Sequence, residues 1–212
     1  MYSANNKTTL IIAPHADDEV LGVGGTTHKL LSSGEQVHVV VCGKRKTDID
    51  NDISDALSVY TTATILPYAD ENYYDSFNYI LKSIESVYNR VKPDVVYIPN
   101  NNDFNRDHKC IHEICEITTR RYQSHQPSCV IMYEIPSSTT QSFNNNFRCN
   151  TYITLTQEDI DYKIQTLYKY TTEHRQYPNP RSPEGIISYA KFRGMECNSM
   201  YAEGFNIIYN KQ

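Results

Sequence analysis

The chain has 212 residues, with 20 Lys and Arg against 25 Asp and Glu, a formal net charge of −5 with histidine neutral. That balance argues against a partner held through nucleic-acid phosphates or anionic lipid. The length fits one domain with a sizeable core. With 39% hydrophobic residues and a mean hydropathy of −0.58 it reads as a soluble globular chain, and no window approaches the ~20 apolar residues of a membrane span. The opening Met1–Lys7 carries no basic-plus-apolar leader pattern, and Leu10-Ile11-Ile12 is cut off by Pro14. A cytoplasmic location is therefore expected. Six cysteines form no CxxC pair, so reduced thiols serving as small buried residues are expected. No repeat or linker divides the chain. The expectation is a single domain over 1–212, with an extension from about 151 to 212 packed on it.

In chain order, Thr8–Ala13 is a nearly continuous apolar, β-branched run and reads as a strand buried on both faces. A helix is expected over 19–33, beginning at a glycine-rich turn and stopped by Ser32-Ser33-Gly34. Gln36–Cys42 is the second strand. Apolar spacing predicts a helix over Tyr73–Val91, broken by Lys92-Pro93-Asp94, and then a buried strand at Val95–Ile98. Asp107–Tyr122 reads as helix and Cys129–Tyr133 as strand. Residues 136–150, with their Ser, Thr and Asn tracts, read as a long surface loop. Thr156-Gln157-Glu158-Asp159 starts another helix, and Asn206–Tyr209 is a last strand. Strands alternating with helices predict an α/β domain with a mostly parallel sheet in three layers. Ligands of such sheets bind beyond the C-terminal ends of the strands, which draws attention to the segments after Ala13 and after Ile98. Loops 44–58, 136–150 and 176–184 are expected to form the rim.

After the first strand comes Pro14-His15-Ala16-Asp17-Asp18-Glu19. Four potentially charged groups in five positions would be costly if simply buried, and imidazole with carboxylate suits a divalent metal such as Zn²⁺. His15 and Asp18, three apart, can both turn inward, leaving Asp17 free for proton transfer. Gly22, Gly24 and Gly25 lack the third glycine of a dinucleotide cradle. Close packing of the helix on the sheet, or backbone near a ligand, is their better use.

This stretch resembles the opening (A/P)HPDDE motif of the PIG-L / LmbE-like deacetylases, with Ala16 in place of the usual proline. The resemblance implies a Rossmann-like fold and zinc-dependent removal of acetyl groups from N-acetylated amino sugars. After the strand at Val95–Ile98, Asp107-His108 offers a second carboxylate and imidazole. A third ligand from another strand end would complete a His₂-carboxylate set. His108 and His112 are also spaced for a clamp along one helix face, without the Glu of an HExxH motif.

The family's HxDH motif falls on Asn105-Arg106-Asp107-His108. By resemblance, His15, Asp18 and His108 hold the metal, Asp17 is the general base and Asp107 orients. The position that stabilises the oxyanion, a histidine in the family, is Asn105 here; an amide donates a hydrogen bond but supplies no titrating proton. Near the C-terminus, Tyr177–Glu184, Arg193-Gly194 and Tyr201-Ala202-Glu203-Gly204-Phe205 resemble one branch's PHPRSxE and RG…YAEAF segments, with Asn179 replacing another His. Arg181 and Arg193 become candidates for a substrate hydroxyl, carboxylate or phosphate. The implied partner is a small N-acetyl amino sugar or glycoconjugate. The implied cofactor is Zn²⁺, although the same donors accept Fe²⁺ or Co²⁺. The two His-to-Asn changes keep a catalytically quiet sugar- or metal-binding module as the alternative. The glycines after the first strand leave a nucleotide-binding domain as the weakest reading. The oligomeric state stays open.

Overall fold

The computed structural model describes residues 7–69, 72–143 and 147–211. Its elements run β1 (Thr8–His15), α1 (Asp18–Ser32), β2 (Gln36–Lys44), α2 (Asp50–Leu57), β3 (Thr62–Ala69), α3 (Phe77–Val91), β4 (Val95–Pro99), α4 (Arg106–Thr118), β5 (Cys129–Tyr133), β6 (Thr151–Leu155), α5 (Gln157–Leu167), α6 (Pro183–Glu196) and β7 (Tyr201–Asn210). The strands form one seven-stranded sheet in the order β3-β2-β1-β4-β5-β7-β6. β1 to β5 pair in parallel, and β7 runs antiparallel to both of its neighbours.

The apolar run of β1 is buried on both faces. Ile11 and Ala13 join one core, with residues of α1 and α2; Leu10 and Ile12 join the other, with residues of α3 and α4. That alternation follows from the two-residue period of a strand. α1 lies close on the sheet because Gly22 and Gly25 present no side chain to it. A Cβ at Gly22 would stand 2.1 Å from the Tyr133 ring, and one at Gly25 2.5 Å from Leu155. Packing is thus the use made of these glycines. The strand order reverses direction at β1, where the chain leaves first toward β2 and later returns to β4. Such a switch point opens a crevice at the C-terminal strand ends.

Several local expectations need correction. Residues 44–58, expected as loop, contain α2, which buries only Ile53, Ala56 and Leu57. β3 went unread because Pro67 interrupts it, a residue tolerated on the edge strand it forms. The helix expected over 73–91 is a 3₁₀ turn, Tyr73–Ser76, followed by α3. The one expected over 107–122 ends at Thr118. The loop 136–150 is not all surface, since Thr139 is fully buried in a 3₁₀ turn; its Asn144–Asn146 tract lies outside the described residues, as does Met1–Asn6. Residues beyond 151 contribute two strands to the same sheet. Cys42, Cys110 and Cys115 are buried, and all six thiols are free. No described helix is long and apolar enough to cross a membrane.

Candidate metal centre

At the end of β1 the chain makes a tight turn through Asp17, whose φ of 98° is left-handed. A non-glycine residue there costs about 1–3 kcal/mol and persists only where the surroundings impose it. Here they do. The Asp17 N–H donates to Glu19 Oε2 at 3.1 Å, and its carbonyl accepts from the first turn of α1. The turn brings Asp18 back over His15, whose backbone N–H donates to Asp18 Oδ2 at 3.0 Å and whose Nδ1 lies 3.3 Å from that oxygen. From the first turn of α4, His108 Nε2 approaches the same oxygen at 3.2 Å. One donor atom from each of His15, Asp18 and His108 falls within 4.8 Å of the others, and all three residues are buried.

Two imidazoles and a carboxylate are the donor set of a site with one open position. Asp18 Oδ1 is buried with no hydrogen-bond partner, and such an orphan costs about 1–3 kcal/mol unless something compensates it. The residues therefore fit a divalent cation. Burial pushes the Asp18 carboxyl upward, but His108 and His15 overcome it and hold the group well below the usual carboxylate range. Burial acts against charge on His108, yet Asp18 and Asp103 raise it to about 10.

Asp17 faces a different set of partners. It is fully buried, with Oδ1 3.2 Å from Arg45 Nη2 and Oδ2 2.7 Å from Arg181 Nη1. It is held by two arginines, which Glu173 bridges in turn. Burial raises the Asp17 carboxyl to about 6 against the pull of Arg181 and Arg45. Its neighbour Glu19, buried and hydrogen-bonded by Tyr170, is pushed by burial to about 8.

Asp107 touches His15 rather than His108: its Oδ2 is 3.2 Å from His15 Nε2. Asn105 caps α4, with its side-chain oxygen accepting from the Asp107 N–H at 2.8 Å. Arg181 lies beside an open cavity of about 560 Å³, lined also by Arg45, Phe104, Asn105, Arg106 and His108. Asn179 fixes that arginine's backbone by accepting from the Arg181 N–H at 2.9 Å. Arg193 is placed elsewhere. It is buried in a forked pair with Glu134, with Nε and Nη2 each at 2.7 Å, and its third nitrogen reaches Glu196. His112 Nδ1 donates to Pro99 O at 2.8 Å, and the residue stands outside the cluster. Sequence reasoning noted Asp103 only as a carboxylate near Asp107-His108, and missed Arg45, Tyr170 and Glu173. Only Arg45, directly after β2 at the functional edge of the sheet, carried a positional signal.

A model of the family described as GlcNAc-PI de-N-acetylase (PIG-L) matches residues 10–118. No curated protein matches the chain in sequence. Among solved structures, the N,N′-diacetylchitobiose deacetylase of Pyrococcus horikoshii is similar at 18% identity, TM-score 0.73, over 96% of this chain and 84% of its own. A deacetylase of the teicoplanin biosynthesis pathway is similar at 14% identity, TM-score 0.77, over 94% and 97%. The 4-carboxy-2-hydroxymuconate hydratase of Pseudomonas putida is similar at 17% identity, TM-score 0.73, over 97% and 98%. These likenesses show the fold, which carries more than one chemistry.

Proposed function

The chain belongs to the GlcNAc-PI de-N-acetylase (PIG-L) family, and from that premise we propose that it is a metal-dependent hydrolase. Its reaction removes the acetyl group from an N-acetylated amino sugar or its conjugate and releases acetate. The observation that carries this reading is the buried His15–Asp18–His108 cluster, with its unsatisfied Asp18 oxygen, beside an open cavity.

His15, Asp18 and His108 would hold Zn²⁺, and the donor set also accepts Fe²⁺ or Co²⁺. A cation held there supplies Lewis acidity to the amide carbonyl and to a water beside it. Asp17 takes the proton of the attacking water. A carboxyl at about 6 is mostly ionised at neutral pH yet more basic than an ordinary aspartate. Arg45 and Arg181 each occupy one of its oxygens and fix its orientation. Asn105 has its side-chain oxygen engaged at the α4 cap, so its NH₂ is the group left to donate to the developing oxyanion. With no imidazole at that position, Asp17 also returns the proton to the leaving amine. Arg181 and Arg106 face the cavity where substrate hydroxyl or anionic groups would lie.

A second reading, a quiet sugar- or metal-binding module, rests on the two His-to-Asn changes at Asn105 and Asn179. One experiment separates the two: metal content and acetate release on a panel of N-acetyl amino sugars, for the native protein, His15→Ala and Asp17→Asn. The deacetylase reading expects metal lost in His15→Ala. It expects metal kept in Asp17→Asn with turnover reduced by about 10²–10⁴-fold. Turnover near native in Asp17→Asn removes the residue from the base role. Metal without any acetate release gives the site to the binding module.

A further inference from the structure

His108 has two ring nitrogens, and only one is explained by the cluster. Nε2 faces Asp18; Nδ1 lies 3.2 Å from Asp103 Oδ1. The ring nitrogen is within contact distance of that oxygen but short of a well-aligned hydrogen bond. Asp103 is itself fully buried and firmly held. Its Oδ1 accepts from the Asn105 N–H at 2.8 Å and from the Ser138 hydroxyl; its Oδ2 accepts from the Thr139 hydroxyl at 2.6 Å. Thr139 is fixed in turn, since its hydroxyl oxygen accepts from the Ile135 N–H at 2.9 Å. Three donors thus fix this carboxylate before the imidazole is counted.

A buried carboxylate is costly to place and needs compensation. Stapling the loop by itself needs no charge facing a histidine. Histidines that ligate metals commonly give their second N–H to a carboxylate, which sets the tautomer and ring direction. We infer that Asp103, braced by Ser138 and Thr139, is the positioning residue for His108, holding the proton on Nδ1 and the Nε2 lone pair toward Asp18. This rests on the metal-site reading above. It also gives the Ser137–Thr139 turn a purpose. Ser137 Oγ accepts from Arg181 Nε at 2.9 Å, so the same turn supports the metal ligand on one side and the arginine of Asp17 on the other.

The test is Asp103→Asn, which keeps the size and one acceptor oxygen but removes the charge facing Nδ1, beside Ser138→Ala, which removes one brace. Zinc affinity is read by competition with a chromophoric chelator, and the His108 Nδ1 proton by ¹⁵N-resolved NMR of the metal-free protein. Expected are about 10–100-fold weaker zinc binding in Asp103→Asn, a smaller loss in Ser138→Ala, and an Nδ1 proton that exchanges faster in both. Zinc affinity within about twofold of native in both variants, or an unchanged Nδ1 proton, overturns the inference. If Asp103→Asn does not fold, Ser138→Ala decides with the same two readouts. A native protein that takes up no zinc sinks the metal-site reading instead, and the Nδ1 proton still judges the contact.

Discussion

Replacing Gly22 by alanine tests how α1 is seated on the sheet. In an exposed helix interior the change would stabilise by about 1 kcal/mol. Here the new Cβ would stand 2.1, 2.6 and 3.0 Å from three atoms of the Tyr133 ring. Carbon atoms settle at about 3.5–4.0 Å, so ring or helix must retreat by about 1.5 Å. The ring is fully buried, and its hydroxyl donates to Ile12 O at 2.9 Å. Overpacking costs about 1–3 kcal/mol, and leaving that buried hydrogen bond unmade costs about 1–3 kcal/mol more. Set against the propensity gain, the net loss is about 1–5 kcal/mol. Urea unfolding of the metal-free protein measures it. Because α1 starts at Asp18, a helix pushed off the sheet carries a metal ligand with it, and zinc affinity falls too. Gly34→Ala is the control. Gly34 has φ of 83° and nothing within 4 Å of the added atom, so it loses stability through backbone strain while zinc affinity stays native. A Gly22→Ala protein as stable as native, or more so, refutes the packing argument.

Other outcomes follow from single contacts. Arg193→Met strands Glu134 in a buried site and is expected to destabilise by about 3–5 kcal/mol, with KM unchanged in the folded fraction; a raised KM at native stability would return Arg193 to the substrate. Asn105→His restores a titrating group beside the cavity and is expected to raise kcat while weakening the α4 cap by about 1 kcal/mol; an unchanged kcat means that the amide at 105 is not what limits turnover. Burial works against charge on Asp159, but the Thr156 backbone, His28 and the Thr156 hydroxyl hold it below its ordinary pKa. Its stabilising contribution is complete above the unfolded value of about 3.9 and disappears as pH falls through the lower folded one. Asp159→Asn should therefore flatten the acid side of the stability curve, and an unaltered curve below pH 4 would contradict that account.

What the sequence made legible is what depends on neighbours in the chain. The buried run of β1, the turn at His15–Asp18 and the helix start at Thr156–Asp159 each express local spacing. β3 hides behind Pro67, and α2 buries too few residues to leave a periodic stripe. The partners of Asp17 were beyond reach for another reason. Arg181 stands 164 positions away and Arg45 28, and no periodicity connects them. They meet because β1 and β2 are adjacent and the approach to α6 folds over the same strand ends. Thr139 was misjudged because a Ser/Thr tract looks solvated until a buried carboxylate needs its hydroxyls.

β7, at residues 201–210, is threaded between β5 and β6 instead of being laid along an edge. It carries Glu203, which accepts from the N–H groups of Gly25 and Thr26 and pairs with Lys163. On the ribosome, where synthesis proceeds N-terminus first at about 5–20 residues per second, β1 and α1 emerge long before β7. Their anchor on the far half of the sheet comes 177 residues after Thr26. A nascent chain therefore holds its histidine–aspartate turn for many seconds on an incompletely supported helix. A chain cut short before Tyr201 has every candidate metal ligand and no finished sheet to hold them.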